Sequence, residues 1–321
     1  MTHPFDPTCF DESNASEALR AVVAQLEQLP RMDSSLEATP EAARLARARF
    51  DESPFQLGPE SDRAEERTIP GPAGDVPVRI IRPRGEVRGA MLHLHGGGWV
   101  IGAPRMSDAS NEKLADELGL AVVSVDYRLA PEHPYPAAPD DCEAAALWLL
   151  ENAGSELGAP ADRIVVGGES AGGHLTAVTT IRMRHRHGYR FRAANVVYGV
   201  HDLSGVPSHT AFDDRSLVLD SATIDWFTRC FVPDEAARRD PDVSPLYAAL
   251  AGMPPALFTV GTLDPLRDHT LFLYARWVAA GNVAELQVFP GAPHGFDGFP
   301  VPEATQARQR MADFLRTHLA S

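Results

Sequence analysis

The pentapeptide GESAG at residues 168–172 places Ser170 between two glycines. It follows the apolar run RIVVG and leads into AGGHLTAVTT, so a strand, a sharp turn and a helix are expected in succession around this serine. Glycines are needed in such a turn because a Cβ on either side would clash with the neighbouring backbone. A serine hydroxyl activated by an adjacent general base attacks acyl groups. The sequence therefore predicts Ser170 as a nucleophile.

A second glycine cluster, HGGGW at residues 95–99, follows the apolar run GAMLHLHG. Consecutive glycines allow peptide N–H groups to converge on one point, which is how backbone donors bind the negative oxygen of a tetrahedral intermediate. We predict that Gly97 and Gly98 form this oxyanion hole, with the N–H group of Ala171 as a third donor. An isolated GGG would be read as a flexible turn. Its position after an early strand, in a chain that also contains GESAG, favours the oxyanion hole.

A candidate acid and a candidate base follow the serine in the chain order serine, acid, histidine. Asp264 follows the run PALFTV and His294 follows AELQVF, so each lies where a predicted strand ends. The carboxyl ends of strands are where α/β sheets place their sites. Asp268, the next acid, falls inside the expected following helix, and a histidine taken alone would be read as an ordinary surface-loop residue. Order and strand context together predict His294 as the base and Asp264 as its orienting acid.

These residues predict acyl transfer through a covalent intermediate. His294 would take the proton of Ser170, and Asp264 would hold the imidazole in the required tautomer. The same residues would also hydrolyse an amide, carbamate or formamide, and only matched ester and amide substrates separate those activities. A non-catalytic ligand receptor on the same fold is a rival of another class, since a fold does not fix a function. A receptor without catalytic activity could lose its histidine, whereas this chain keeps His294, and this argues against a receptor.

Strand and helix patterns alternate along the chain. Two amphipathic helices are predicted at about 17–29 and 40–50, the second capped by Thr39. Apolar runs typical of strands follow at 76–83, 89–96, 120–127, 163–168, 194–200, 255–261 and 284–291, with later helices at about 268–280 and 302–318. This alternation predicts a mostly parallel sheet with crossover helices. An insertion after residue 200 contains SATIDWFTRCF, whose Ile224, Phe227 and Phe231 share one helical face.

The charge and the cysteine content limit which classes of partner the protein is expected to bind and in which compartment it is expected to work. The formal net charge is −15 and Lys113 is the only lysine, which disfavours nucleic acid and anionic membranes as partners. No apolar stretch approaches the roughly 20 residues that span a bilayer, and the acidic start lacks the features of a secretory signal. Cys9, Cys142 and Cys230 are odd in number and lack CxxC spacing, so neither a disulfide framework nor a zinc site is indicated. We therefore expect a cytoplasmic protein with reduced thiols.

Two further motifs are interpreted as structural. The basic run RMRHRHGYRFR at 182–192 could suggest a nucleic-acid patch, but it ends the helix after the GESAG turn, where cations favour the helix dipole and Gly188 can terminate the helix. His93 and His95 form an HxH pair on one strand face. The downstream ligands of a metallohydrolase are missing, so no metal site is predicted there.

Six motifs together resemble the hormone-sensitive-lipase-like family of bacterial carboxylesterases. They are HGGGW, YRLAPEHPYPAA at 127–138, GESAGG, SPLYA at 244–248, DPLRD at 264–268 and HGF at 294–296. The likeness extends over roughly residues 75–315, the span from the first apolar strand run to the last helix. One departure is Glu169, where the family commonly has aspartate before the serine.

The resemblance implies an α/β-hydrolase fold, with a mostly parallel eight-stranded sheet, helices on both faces and a helical cap. Residues 1–50 would supply the N-terminal part of the cap and 201–245 its inserted segment, and 51–200 with 246–321 would form the catalytic core. The implied activity is hydrolysis of short- to medium-chain carboxylic esters without a cofactor or metal. A homodimer is also implied, through the edge strand AELQVF that begins at Ala284 and ends at Phe289.

Overall fold

An eight-stranded sheet forms the centre of the computed structural model, which describes residues 7–28, 37–51, 59–212 and 217–320. The strands are β1 (Glu65–Gly71), β2 (Gly74–Ile81), β3 (Gly89–Leu94), β4 (Leu120–Val125), β5 (Ile164–Glu169), β6 (Ala194–Val197), β7 (Ala256–Leu263) and β8 (Ala284–Pro293). Their order is β1-β2-β4-β3-β5-β6-β7-β8. The pairs β1–β2 and β2–β4 are antiparallel and the other neighbours are parallel. The predicted mostly parallel sheet of eight strands is confirmed.

Helices cover both faces of this sheet. In the described residues they are α1 (Glu17–Leu26), α2 (Pro40–Asp51), α3 (Asp108–Leu118), α4 (Ala137–Leu157), α5 (Ala171–His187), α6 (Pro207–Thr210), α7 (Ser221–Phe231), α8 (Arg267–Ala279) and α9 (Pro302–Ala320). Successive strand residues point to opposite faces. Met91 and Val122 accordingly pack in one apolar layer with α3 and α9, and Leu92 and Val123 pack in the other with α4, α5 and α8. The two-faced covering by helices agrees with the prediction.

Strand β1 is the one strand of the sheet that the sequence patterns did not predict. Its run EERTIPG carries charges, and only Ile69 is fully buried, so the strand lacks an apolar stripe. It is an edge strand that pairs with β2 through a tight connection joining Gly71 and Gly74. An edge strand with one exposed face needs few apolar residues, which explains why the pattern failed.

The two N-terminal helices pack on different parts of the core. Helix α1 lies against β8 and α9, where Leu19 is fully buried and Glu303 accepts hydrogen bonds from the backbone and hydroxyl of Ser16. Helix α2 begins at Pro40 as predicted, and the Thr39 hydroxyl accepts the N–H of Ala42. The observed bounds of these helices are close to those predicted, although residue 29 of the first lies outside the described residues.

The insertion after β6 contains α6 and α7. Helix α7 contains the predicted face of Ile224, Phe227 and Phe231, of which Ile224 and Phe231 are buried and Phe227 is half-buried. Of the segments assigned to the cap from sequence, 1–6, 29–36 and 213–216 lie outside the described residues, as do 52–58 and 321. None of the described helices is both long and apolar enough to cross a membrane.

Candidate active site

Ser170 occupies the turn between β5 and α5. Its φ is 58° and its ψ is −120°, a conformation that a residue other than glycine rarely adopts. Its N–H group donates to the carbonyl oxygen of Val197 at 2.9 Å, which fixes the turn against β6. A Cβ at either Gly168 or Gly172 would overlap the carbonyl oxygen of Leu94. Both flanking glycines are therefore required by the close approach of β3, as the sequence predicted.

Asp264 and His294 lie at the carboxyl ends of β7 and β8, beside Ser170. Asp264 Oδ2 is 2.9 Å from His294 Nδ1, and His294 Nε2 is 2.9 Å from Ser170 Oγ. Asp264 is 1% exposed, and its second oxygen accepts the N–H group of Leu266 at 2.8 Å. The structure thus brings the three predicted residues into one hydrogen-bonded series.

Asp268, the other acid considered, lies in the first turn of α8 and faces the insertion. Its Oδ2 accepts the N–H group of Ser208 at 2.9 Å, and its own N–H group donates to the Ser208 hydroxyl at 3.0 Å. Asp268 therefore contacts the insertion and not His294, although only three residues separate it from Asp264.

The segment 95–98, here called the oxyanion loop, lies directly against the Ser170 turn. A Cβ at Gly96 would be 3.4 Å from the Cβ of Ser170. Gly97 has a φ of 113° and Gly98 a φ of 57°, values that only glycine adopts readily. Within the described part of the chain, the N–H groups of Gly97, Gly98 and Ala171 donate to no protein acceptor. These three N–H groups are therefore unpaired among the described residues.

His95 and Tyr127 hold the start of the oxyanion loop. The Tyr127 hydroxyl donates to the carbonyl oxygen of His95 at 2.8 Å, and the two rings stack at 4.2 Å. Burial lowers the pKa of His95 to about 4, so its ring is neutral at ordinary pH. Its Nδ1 is 2.7 Å from the carbonyl oxygen of Gly96 and can donate a hydrogen bond to it. These contacts leave the loop little freedom.

Glu169 is a second mostly buried carboxylate beside the serine. Its Oε1 accepts the N–H group of Gly96 at 3.2 Å, and its Oε2 is 3.3 Å from His93 Nε2. Burial by itself would raise the pKa of Glu169, but the nearby His93 and the Gly96 N–H group outweigh it and hold that pKa below its ordinary value. The glutamate that departs from the family pattern is therefore ionised and makes definite hydrogen bonds.

Tyr198 contacts His294 and was not singled out from the sequence. Its ring packs edge-on against the imidazole, with centroids 4.7 Å apart, and its φ is 35°. Burial and the Asp297 carboxylate raise the pKa of Tyr198 well above its usual value, so the hydroxyl keeps its proton and donates to Asp297 at 2.5 Å. Like Asp264 and His294, Tyr198 follows the carboxyl end of a strand. This position is the feature of the sequence by which Tyr198 could have been predicted as a site residue.

Residues from α2 and α7 contact the oxyanion loop and the segment after it. A Cβ at Gly98 would overlap the ring of Phe227, so this ring lies on the glycine. Arg47 of α2 donates to the carbonyl oxygens of Val100 at 2.7 Å and Ala130 at 2.9 Å. The Trp226 indole donates to the carbonyl oxygen of Glu37 at 3.0 Å, which joins α7 to the chain just before α2.

The basic run at 182–192 ends α5, as predicted. The helix ends at His187, and Gly188 follows with a φ of 67°. Arg182 is 2% exposed and pairs with Asp140, Glu143 and Asp242 at 2.5–3.2 Å. Its charge is thus neutralised inside the protein, which supports the structural interpretation.

Comparisons with known proteins agree with this architecture. Residues 91–298 match the family model described as alpha/beta hydrolase fold. The chain is similar to the carboxylesterase NlhH of Mycobacterium tuberculosis, at 40% identity over 83% of this chain and 86% of that protein. It is also similar to the carboxylic ester hydrolase LipN of the same organism, at 38% identity over 71% of this chain and 63% of LipN.

A solved structure extends the likeness to almost the whole chain. The esterase of Pyrobaculum calidifontis superimposes with a TM-score of 0.86 at 32% identity, covering 96% of this chain and 100% of that one. The relatives and the solved structure share one enzyme class, and the family model gives the same fold. The chain belongs to the hormone-sensitive-lipase-like carboxylesterases of the α/β-hydrolase fold and is a serine hydrolase that acts on esters.

Proposed function

We propose that this carboxylesterase uses Ser170 as nucleophile, His294 as general base and Asp264 as orienting acid. The observation that carries the proposal is the pair of 2.9 Å contacts that links Asp264 to His294 and His294 to Ser170. A general base must lie within hydrogen-bond reach of the proton that it removes, and here it does.

The reaction has two steps. Ser170 Oγ bonds to the ester carbonyl carbon while its proton passes to His294, and the carbonyl oxygen takes up the negative charge. The N–H groups of Gly97, Gly98 and Ala171 bind that oxygen, since no protein acceptor in the described residues engages them. His294 then protonates the leaving alcohol. Water activated by the same imidazole releases the acid and regenerates Ser170.

We further propose that the described parts of 1–50 and 201–245 form a cap that favours short to medium acyl chains. The supporting contacts are the Phe227 ring on Gly98 and the Arg47 hydrogen bonds to the chain after the oxyanion loop. The Phe227 ring lies directly on one of the proposed N–H donors, and we infer that it shortens the space for an acyl chain. Acetyl to hexanoyl esters are therefore the expected substrates.

We also propose that two copies of the chain form a homodimer through β8. This strand stands at the edge of the sheet, and the segment from Ala284 to Val288 is only half-buried. An exposed edge presents unpaired backbone groups that a second copy can satisfy.

The proposal is tested with p-nitrophenyl esters from acetate to laurate and with a matched amide. Esters up to hexanoate should show kcat/KM values roughly tenfold or more above that of laurate, because a closed pocket excludes long chains. Ser170→Ala should remove the activity on all of them. Equal kcat/KM for butyrate and laurate would contradict the closed pocket, and activity retained by Ser170→Ala would contradict the assigned nucleophile.

A further inference from the structure

His93 is a buried strand histidine that takes no part in the acyl-transfer steps. It lies on β3, two residues before the oxyanion loop, and is 4% exposed. Its Nδ1 is 3.0 Å from the hydroxyl of Ser124 on β4, and its Nε2 is 3.3 Å from Glu169 Oε2. Both ring nitrogens are therefore engaged within the protein, one toward the core and the other toward the active site.

The carboxylate of Glu169 decides which ring nitrogen of His93 must carry a proton. The Asn111 amide donates to Ser124 Oγ at 3.1 Å, so the Ser124 hydroxyl hydrogen is free to point at His93 Nδ1. Because the ionised Glu169 can only accept, its hydrogen bond with His93 requires a proton on Nε2. A continuous series of hydrogen bonds thus runs from α3 through β4 and β3 to the carboxylate beside Ser170.

Glu169 carries this series to the oxyanion loop. Its Oε1 accepts the Gly96 N–H group at 3.2 Å and the Ser107 hydroxyl at 3.3 Å. The side chain is 23% exposed, and a carboxylate that is mostly buried costs free energy unless hydrogen bonds compensate its charge. The imidazole of His93 and the Gly96 peptide supply that compensation.

We propose that His93 and Glu169 are positioning residues that hold the N–H groups of the oxyanion loop in place beside Ser170. This role rests on the proposed function. His93 fixes the carboxylate, and the carboxylate fixes the Gly96 peptide, from which the donors of Gly97 and Gly98 follow directly. Donors stabilise an oxyanion only when they lie within about 2.7–3.1 Å of the position where its charge develops. A small displacement of Gly96 therefore weakens transition-state binding and leaves substrate binding largely intact.

The informative variants are Glu169→Gln and His93→Leu. A glutamine amide has one acceptor side and one donor side, so its NH₂ group must face either the His93 N–H or the Gly96 N–H group. His93→Leu removes both ring nitrogens, and His93→Gln restores one polar group. Asp116→Asn is the matched control on the outer part of α3. Its carboxylate is 28% exposed, accepts the Arg84 N–H group at 2.8 Å and pairs with Arg63 at 2.9 Å.

The experiment measures kcat and KM for p-nitrophenyl butyrate per active site, with sites counted by covalent titration with a serine-directed phosphonate. Glu169→Gln and His93→Leu should each lower kcat about 10- to 100-fold, which is no more than the decrease expected when a direct oxyanion donor is removed. The KM of each variant should stay within about threefold of the wild-type value. The Ki of a trifluoromethyl ketone should rise by about the same factor, because its serine adduct carries an oxyanion in the same hole. His93→Gln should recover part of the loss, and Asp116→Asn should stay within about twofold of the wild type.

The double variant tests whether both residues act through Gly96. Its kcat should be no more than about twofold below that of the worse single variant, since one contact cannot be lost twice. Unchanged kcat per titrated site in the single variants, a rise in KM alone, or additive losses in the double variant would overturn the proposal. If His93→Leu does not fold, the isosteric Glu169→Gln decides alone. A wild-type enzyme that cannot be titrated at Ser170 would overturn the proposed function as well, and so is distinguishable from failure of the positioning role.

Discussion

The serine turn and the helices around it are held in place by different kinds of contact. At the turn the close contacts are between backbones: Gly172 lies against the Leu94 carbonyl group, and the Ser170 N–H group donates to Val197. The surrounding helices reach the oxyanion loop through side chains, such as the Phe227 ring on Gly98. Backbone packing tolerates almost no added atoms, whereas a side chain can be shortened without moving the main chain. Catalytic chemistry and acyl-chain preference should therefore be separable by mutation.

The largest expected effect lies within the catalytic region. Asp264→Asn should fold normally and lose about 10⁴-fold in kcat, because an amide favours the wrong imidazole tautomer. Asp268→Asn is the matched control, since Asp268 binds Ser208 in the insertion and not His294. Steady-state kinetics on p-nitrophenyl butyrate compare the two. A loss below tenfold for Asp264→Asn, or equal losses for both variants, would show that the acid is wrongly assigned.

Gly98→Ala tests the point where the two regions meet. The new methyl group would overlap the Phe227 ring, and the φ of 57° is unfavourable for alanine. We expect a loss of about 10²- to 10³-fold in kcat, as for an impaired oxyanion donor. The double variant Gly98→Ala/Phe227→Ala separates the two causes. Recovery of most of the activity would assign the loss to the ring, and no recovery would assign it to the backbone conformation.

Phe227→Ala should have the smallest effect on the chemistry and a visible effect on substrate preference. Removing the ring opens space beside Gly98, so kcat/KM for laurate should rise about tenfold relative to that for butyrate. The activity on butyrate should change by less than about threefold, because no reacting group is removed. Ile224→Val, a smaller change on the same helix, serves as the control. An unchanged laurate-to-butyrate ratio would mean that Phe227 does not limit chain length.

The sequence predicted those features that depend on short backbone motifs. The GESAG and HGGGW motifs and the chain order of Asp264 and His294 depend on particular residue types at fixed positions. The structure brings Ser170, Asp264 and His294 together and places Gly96 against the Ser170 turn. Features that depend on side chains from distant segments were not predictable. Nothing in the local pattern connects His93 to Glu169 or Tyr198 to His294, because each pair meets only when separate strands align. Strand β1 was missed for another reason, since an edge strand shows little apolar periodicity.

The central claim is that Ser170 is the activated nucleophile, and covalent labelling tests it most directly. A serine-directed phosphonate should add one group per chain, because only a hydroxyl activated by a neighbouring base reacts with it at a useful rate. Intact-protein mass spectrometry gives the stoichiometry, and peptide mapping should place the group on Ser170. The Ser170→Ala variant should remain unlabelled. Labelling that survives this substitution, or that maps to another serine, would contradict the assignment.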